Sequence, residues 1–227
     1  MRGVFITGTD TGVGKTFIGT RLAKLLVERG LRLRPRKPAE SGCPRVDGVL
    51  KPQDAVAYHL AVDGAEPLQL ICRYRFEAAL SPERAARLEG QALRLADLLA
   101  ACLDGVAADD FLLAEGAGGF CSPIAADGLN ADLAVALGLP VLLVSIDRLG
   151  AIHQVLVTAE AIARRGLELA GVVLNRLTPA LDPKLDNAAD LRRWLGIEPI
   201  TVAHGAAPDP DAAKAIQALI ERLIAPR

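Results

Sequence analysis

Gly8-Thr9-Asp10-Thr11-Gly12-Val13-Gly14-Lys15-Thr16 follows the apolar run Val4-Phe5-Ile6 and leads into an apolar-periodic segment. The order reads as a strand, a glycine-rich turn and a helix start, the context in which Gly-Lys-Thr forms a phosphate-binding loop. A helix N-terminus leaves its first N–H groups without partners and carries partial positive charge, so a turn that aims them inward suits phosphates. Lys15 then reaches the outer phosphates and the Thr16 hydroxyl is a candidate Mg²⁺ ligand. The strict pattern places its first glycine at position 9, which is Thr9; Gly8 stands one residue earlier, so the loop is one residue longer than the standard form.

Downstream, Phe17, Ile18, Leu22, Leu25 and Leu26 recur at helical spacing until Gly30. Leu31 and Leu33 alternate with arginines as in a second strand, which Pro35 and Pro38 are expected to stop. That strand delivers Lys37 and the loop Pro38-Ala39-Glu40-Ser41-Gly42 to the edge where open parallel sheets bind ligands. Residues 43–52 read as loop, and Gln53 to Val62 as a helix with Asp54 in its first turn, where an acid also suits the helix dipole. A short strand is expected over Leu68 to Arg73, and helices from Ser81-Pro82-Glu83 and from Leu93 to Leu103.

Phe111-Leu112-Leu113-Ala114 ends on Glu115 and opens into Gly116-Ala117-Gly118-Gly119. A buried parallel strand that delivers a carboxylate to the crevice has this form, and Glu115 is the candidate Walker-B-type acid. Further helices are expected over Leu129 to Leu137, Ala151 to Arg165, Leu185 to Leu195 and Ala212 to Ile224, with strands at Val141 to Val144, Gly171 to Asn175 and Ile200 to Val202. Alternating strands and helices predict a single α/β domain over 1–227 of P-loop NTPase type, with a mostly parallel sheet of about seven strands and helices on both faces.

The chain has 227 residues, 51% hydrophobic and 23% charged, with net charge −1. No long block of one charge suggests a nucleic-acid footprint, and the short basic cluster Arg29 to Lys37 fits a solvated strand edge or the surroundings of a phosphate better. No run of about 18 apolar residues predicts a membrane span. Cys43, Cys72, Cys102 and Cys121 lack C-x-x-C spacing and paired histidines, so reduced thiols in a cytoplasmic protein are expected.

A phosphate loop leaves a GTPase switch, a partition-type ATPase and an ATP-using ligase or kinase open. GTPases generally carry Asn-Lys-x-Asp after a late strand; this chain has Asn175-Arg176-Leu177-Thr178, without the aspartate, while Asn175 suits an adenine edge. Partition ATPases usually carry an additional lysine at the start of the loop, where this chain has Asp10.

Five stretches together resemble the dethiobiotin synthetase family along nearly the whole chain: residues 7–16, Lys37-Pro38-Ala39-Glu40-Ser41-Gly42, Pro52-Gln53-Asp54-Ala55, Tyr74-Arg75-Phe76 with Ser81-Pro82, and Glu115-Gly116-Ala117-Gly118-Gly119. Individually these motifs are shared with cobyrinate synthetases and partition ATPases. The resemblance implies an ATP- and Mg²⁺-dependent homodimer that makes dethiobiotin from 7,8-diaminopelargonic acid and CO₂. The family's route is carbamate formation on an amine, phosphorylation of the carbamate, and ring closure by the second amine with loss of phosphate.

On this resemblance Lys37 and Lys15 are the catalytic cations, and Thr16, Asp54 and Glu115 the Mg²⁺ ligands. The nucleotide is held by Gly12, Val13, Gly14, Lys15, Thr16 and Phe17, by Asp54, Glu115, Gly116, Ala117 and Gly118, and by Asn175 and Arg176. Thr11, Ser41 and Gly118 orient the diamine and carbamate. Gly150, Ala151, Ile152 and His153, at a helix start, receive the substrate carboxylate from the neighbouring subunit. The chain departs from the family at Gly12, where some members have Glu, at His153, where some have Asn, and near 200–206, where no Pro-x-Leu adenine contact is evident.

Overall fold

A computed structural model of the protein describes residues 1–178, 182, 184–204 and 210–224, the side chains of 210–215 excepted. The principal strands are β1 (Arg2–Gly8), β2 (Leu33–Arg36), β3 (Phe111–Gly119), β4 (Val141–Ile146), β5 (Leu169–Asn175) and β6 (Ile200–Val202). The helices are α1 (Lys15–Glu28), α2 (Gln53–Ala61), α3 (Leu68–Ile71), α4 (Pro82–Leu88), α5 (Leu95–Leu103), α6 (Asn130–Leu137), α7 (Ala151–Arg164), α8 (Asn187–Leu195) and α9 (Pro210–Ile224).

The strands form one sheet in the order β6-β5-β4-β1-β3-β2, and every pairing is parallel. Successive residues face opposite cores, which is why the strand sequences are continuously apolar rather than alternating. Val4 and Ile6 of β1, Phe111 and Leu113 of β3, and Leu142 and Val144 of β4 join a core with α1, α2, α3 and α9. Phe5, Leu112, Ala114, Val141 and Leu143 join a second core with α4 to α8. Among the described residues no helix is long and apolar enough to cross a membrane. All four cysteines are free, and three of them are buried.

Among the described residues the sheet has six strands, where about seven were expected. The segment expected as a strand over Leu68 to Arg73 instead makes the single helical turn α3, with Pro67 O accepting from the N–H groups of Leu70 and Ile71. A short apolar run does not distinguish one buried turn from a strand. Tyr74–Arg75, just beyond, forms a short strand that pairs with Ala39–Glu40 outside the main sheet. Pro35 does not stop β2, because β2 is the sheet's edge and a missing N–H is tolerated there. Residues 43–52 contain a hairpin, Arg45–Val46 against Val49–Leu50, turned by Asp47 and Gly48, both at positive φ.

The basic cluster runs along that edge. Arg32 and Arg34 reach Asp110, and Arg34 and Arg36 reach Glu66, so alternating charge closes the open side of the sheet. The connection from β1 leads toward β2 and that from β4 toward β5, on opposite sides. The carboxyl ends of β1 and β4 therefore flank the switch point where doubly wound sheets bind ligands. The loop after β1 opens there.

Candidate functional site

The loop after β1 depends on glycine at two positions. Gly12 and Gly14 have φ of +74° and +92°, which side chains other than glycine rarely adopt. A Cβ on Gly14 would also overlap the amide of Asn175, whose Nδ2 donates to Val13 O at 3.0 Å. Asn175, at the end of β5, therefore fastens the loop from behind. Among the described residues no side chain caps α1, so the N–H groups of its first turn stay available at the loop.

β2, β3 and α2 bring the charged groups to this loop. Lys37 Nζ donates to Glu115 Oε1 at 2.5 Å and to Gly116 O at 3.2 Å, and lies 2.9 Å from Asp54 Oδ2. Thr16 Oγ1 donates to Glu115 Oε1 at 2.9 Å, and Lys15 Nζ to Asp10 O at 2.9 Å. Lys37 is 3% exposed and Glu115 1%. Burial pulls the Lys37 pKa down, but Glu115 and Asp54 outweigh it and the ammonium is held charged. Lys15 lacks so close a pairing: burial, then the charge of Lys37, lowers its pKa to about 8. Burial works against the Asp54 carboxylate as well, yet Lys37 and Thr16 hold its pKa below the usual value.

Thr16, Asp54 and Glu115 are hard oxygen donors, the kind Mg²⁺ takes. The Lys37 ammonium lies against both carboxylates, so the point where they meet already accommodates a cation. The donor set fits the ion.

Three residues to which the sequence assigned no role in the site hold this cluster. Glu40 accepts from the N–H groups of Asp54 and Ala55 at 2.9 and 3.0 Å, capping α2 from a distant segment. Asp54 is thereby relieved of capping its own helix and its carboxylate turns to Lys37. Burial, then the Asp54 charge, raises the Glu40 pKa to about 6. Tyr58 donates its hydroxyl to Glu115 Oε2 at 2.7 Å. Asn130, at the start of α6, bonds both to the N–H and to the carbonyl of Ala117 and donates to Gly119 O and Ser122 O, which shapes the glycine-rich run after Glu115. Tyr58 alone had a legible signal, since it lies one helical turn after Asp54.

Thr11, Gly12, Gly14, Lys15, Thr16, Phe17, Lys37, Ser41, Asp54, Glu115, Ala117 and Gly118 line one cleft of about 390 Å³, together with Glu40. The Ser41 hydroxyl donates to Leu80 O at 2.5 Å. Val13 is buried behind the loop, and Gly116 contributes its carbonyl to Lys37. Arg176 turns to Asp147, with Nε 2.9 Å from Oδ2, and its N–H bonds to Val202 O. Gly150, Ala151, Ile152 and His153 stand at the start of α7 and do not line this cleft within one chain; Gly150 has φ of +89° and open space around it. Of the stretch 200–206, residues 205 and 206 lie outside the described residues.

The AAA-domain family model matches residues 2–209. The ATP-dependent dethiobiotin synthetase BioD of Anaeromyxobacter dehalogenans strain 2CP-C is 44% identical over 220 residues, 96% of each chain. That of Vesicomyosocius okutanii is 44% identical over 181 residues, 80% of this chain and 82% of the relative. Among solved structures, the septum site-determining protein MinD of Pyrococcus horikoshii, complexed with Mg-ADP, superposes with a TM-score of 0.54 at 17% identity, over 98% of this chain and 96% of that one. It shares the fold.

Proposed function

Since the chain belongs to the ATP-dependent dethiobiotin synthetase family, whose members form a C–N bond, we propose that it closes the ureido ring of dethiobiotin from 7,8-diaminopelargonate and CO₂ at the expense of ATP. One amine adds to CO₂ and loses a proton, giving a carbamate. A carbamate oxygen takes the γ-phosphoryl group and leaves ADP. The second amine then attacks the carbamoyl carbon and phosphate departs.

The observation that carries this reading is the buried Lys37 between Asp54 and Glu115, opposite the loop that holds Lys15. Phosphoryl transfer needs little from the protein beyond positioning and charge stabilisation. Lys15 faces the outer phosphates from the loop. Lys37 is the cation best placed to follow negative charge as it passes from the γ-phosphate to the carbamate oxygen. Thr16, Asp54 and Glu115 would hold Mg²⁺, which supplies further neutralisation of the phosphates when bound. Thr11, Ser41 and the backbone at Gly118 line the side of the cleft where the diamine and carbamate would be oriented. Gly12, Gly14, Lys15, Thr16 and Phe17 line the cleft where the nucleotide would lie, with Ala117 and Gly118 opposite, while Val13, Gly116, Asn175 and Arg176 support that site from behind or beside it.

The same reading makes the protein a cytoplasmic homodimer without nucleic-acid or membrane partners. The substrate's carboxylate, extended away from the diamine, is received by the N–H groups around Gly150 to His153 of the neighbouring subunit. Adenine is preferred over guanine because the aspartate that reads guanine is missing after Asn175. The test is phosphate release with ATP or GTP, with and without the diamine and bicarbonate. Release that requires the diamine and is faster with ATP is expected; release indifferent to the diamine belongs to a simple ATPase and overturns the proposal.

A further inference from the structure

The two oxygens of Glu115 have different surroundings. Oε1 faces the cleft and receives hydrogen bonds from Thr16 at 2.9 Å and Lys37 at 2.5 Å. Oε2 faces the core and receives the hydroxyl of Tyr58 at 2.7 Å. Tyr58 is fully buried and does not itself line the cleft; it reaches the lining through Glu115 alone among the described hydrogen bonds. Burial and the neighbouring Glu115 charge push its pKa well up, so it remains a phenol and a donor.

Access for that hydroxyl is built into α1. Gly19 lies one turn after Thr16, and a Cβ there would overlap the Tyr58 hydroxyl and stand 2.8 Å from its ring carbon Cζ. Glycine in the interior of a helix is unfavourable, and Gly19 is neither at a turn nor at positive φ. Its place is explained by the close approach of Tyr58. Thr16 on α1 and Tyr58 on α2 thus meet at Glu115, while Gly19, about one turn after Thr16, makes room for Tyr58, and Asp54, one turn before Tyr58, reaches Lys37.

We infer that Tyr58, admitted by Gly19, is a positioning residue that fixes the rotation of the Glu115 carboxylate and so presents a single oxygen, Oε1, beside Thr16 and Asp54 for the divalent ion. This rests on Glu115 as a metal ligand, as in the function proposed above. A carboxylate without the Tyr58 bond keeps the same charge and its Oε1 partners Thr16 and Lys37 but loses the bond that holds Oε2, and loss of such outer partners of a metal ligand typically weakens metal binding 10- to 100-fold.

The experiment measures Mn²⁺ binding to the protein–ADP complex by electron paramagnetic resonance, and ADP binding in EDTA by calorimetry, for wild type, Tyr58→Phe and Gly19→Ala. Tyr58→Phe keeps the ring and removes one oxygen. The expected result is Mn²⁺ affinity lowered about 10-fold or more, with ADP affinity in EDTA unchanged. Gly19→Ala, which displaces the hydroxyl, should show the same loss, and the double variant should lose no more than the worse single one, because both act on one contact. A thermal melt of Tyr58→Phe establishes that the fold persists. Mn²⁺ affinity unchanged in Tyr58→Phe overturns the inference, as does an equal loss of ADP affinity in EDTA. Ring-closure activity of the wild type is scored separately: its absence overturns the synthetase reading, whereas a Mn²⁺ loss in Tyr58→Phe supports the positioning role whichever reaction the site performs.

Discussion

Lys37 Nζ and Glu115 Oε1 are 2.5 Å apart although 78 residues separate them in the chain. The pair forms because β2 and β3 are parallel neighbours with Arg36 in register with Ala114, so that Lys37, just past β2, comes beside Glu115 within β3. Asp54 Oδ2 completes the contact from α2 at 2.9 Å. A lysine so placed remains charged, and its charge lies within reach of whatever the phosphate loop holds.

Lys37→Ala is therefore expected to lower kcat about 100-fold or more, the scale for losing one electrostatic partner of a transition state. Steady-state kinetics with ATP varied at saturating diamine measures it. A variant with near-normal kcat and only a raised KM for ATP would reduce Lys37 to a phosphate clamp.

Lys15 gives a pH dependence. Its folded pKa is lowered to about 8 from 10.5, so above pH 8 the folded protein has released this proton while the unfolded chain still holds it. Between those values Lys15 makes the ligand-free protein more stable as pH rises, since the unfolded state binds more protons. ATP binding needs the charged form and weakens over the same window, by at most about tenfold per pH unit. Calorimetric ATP titrations from pH 7 to 9.5 check the second effect, and Lys15→Arg, which stays charged, should flatten it.

Glu40 should matter for α2. Glu40→Ala leaves the N–H groups of Asp54 and Ala55 without their acceptor, and loss of a cap costs about 1 kcal/mol. Denaturant midpoints should fall accordingly, with Glu40→Gln intermediate because it keeps one acceptor oxygen. The Mg²⁺ concentration for half-maximal rate should rise in the same order, since Asp54 begins the helix that Glu40 holds.

Much of this site was legible from residue order alone. Gly12, Gly14, Lys15 and Thr16 form a local motif, and Lys37 and Glu115 each follow an extended run that ends at the ligand edge. Glu40, Asn130 and Gly19 were not legible in that way. Glu40 caps a helix 14 residues away, Asn130 serves the end of β3 13 residues before it, and Gly19 matters because Tyr58 packs against it. Pairings between segments carry no local period. The same reason explains the segment 68–73: whether Leu68–Ile71 turns or extends is decided by what it packs against, including the 2.7 Å bond from Lys37 N to Ile71 O.

The start of α7 supplies a prediction about the diamine. Gly150→Pro removes one N–H and, because proline cannot adopt the φ of +89° found there, also re-aims the first turn of α7, so it should raise the KM for diaminopelargonate and leave ATP binding nearly unchanged. An unchanged diamine KM in a folded dimeric variant would exclude this helix as the carboxylate site.

The most direct test is the reaction itself: purified protein with diaminopelargonate, bicarbonate, Mg²⁺ and ATP, with the organic product followed by mass spectrometry and phosphate by assay. The account predicts a cyclic urea formed one for one with ADP and phosphate, and none of the three without the diamine. ATP turnover that proceeds without the diamine and yields no cyclic product would contradict it.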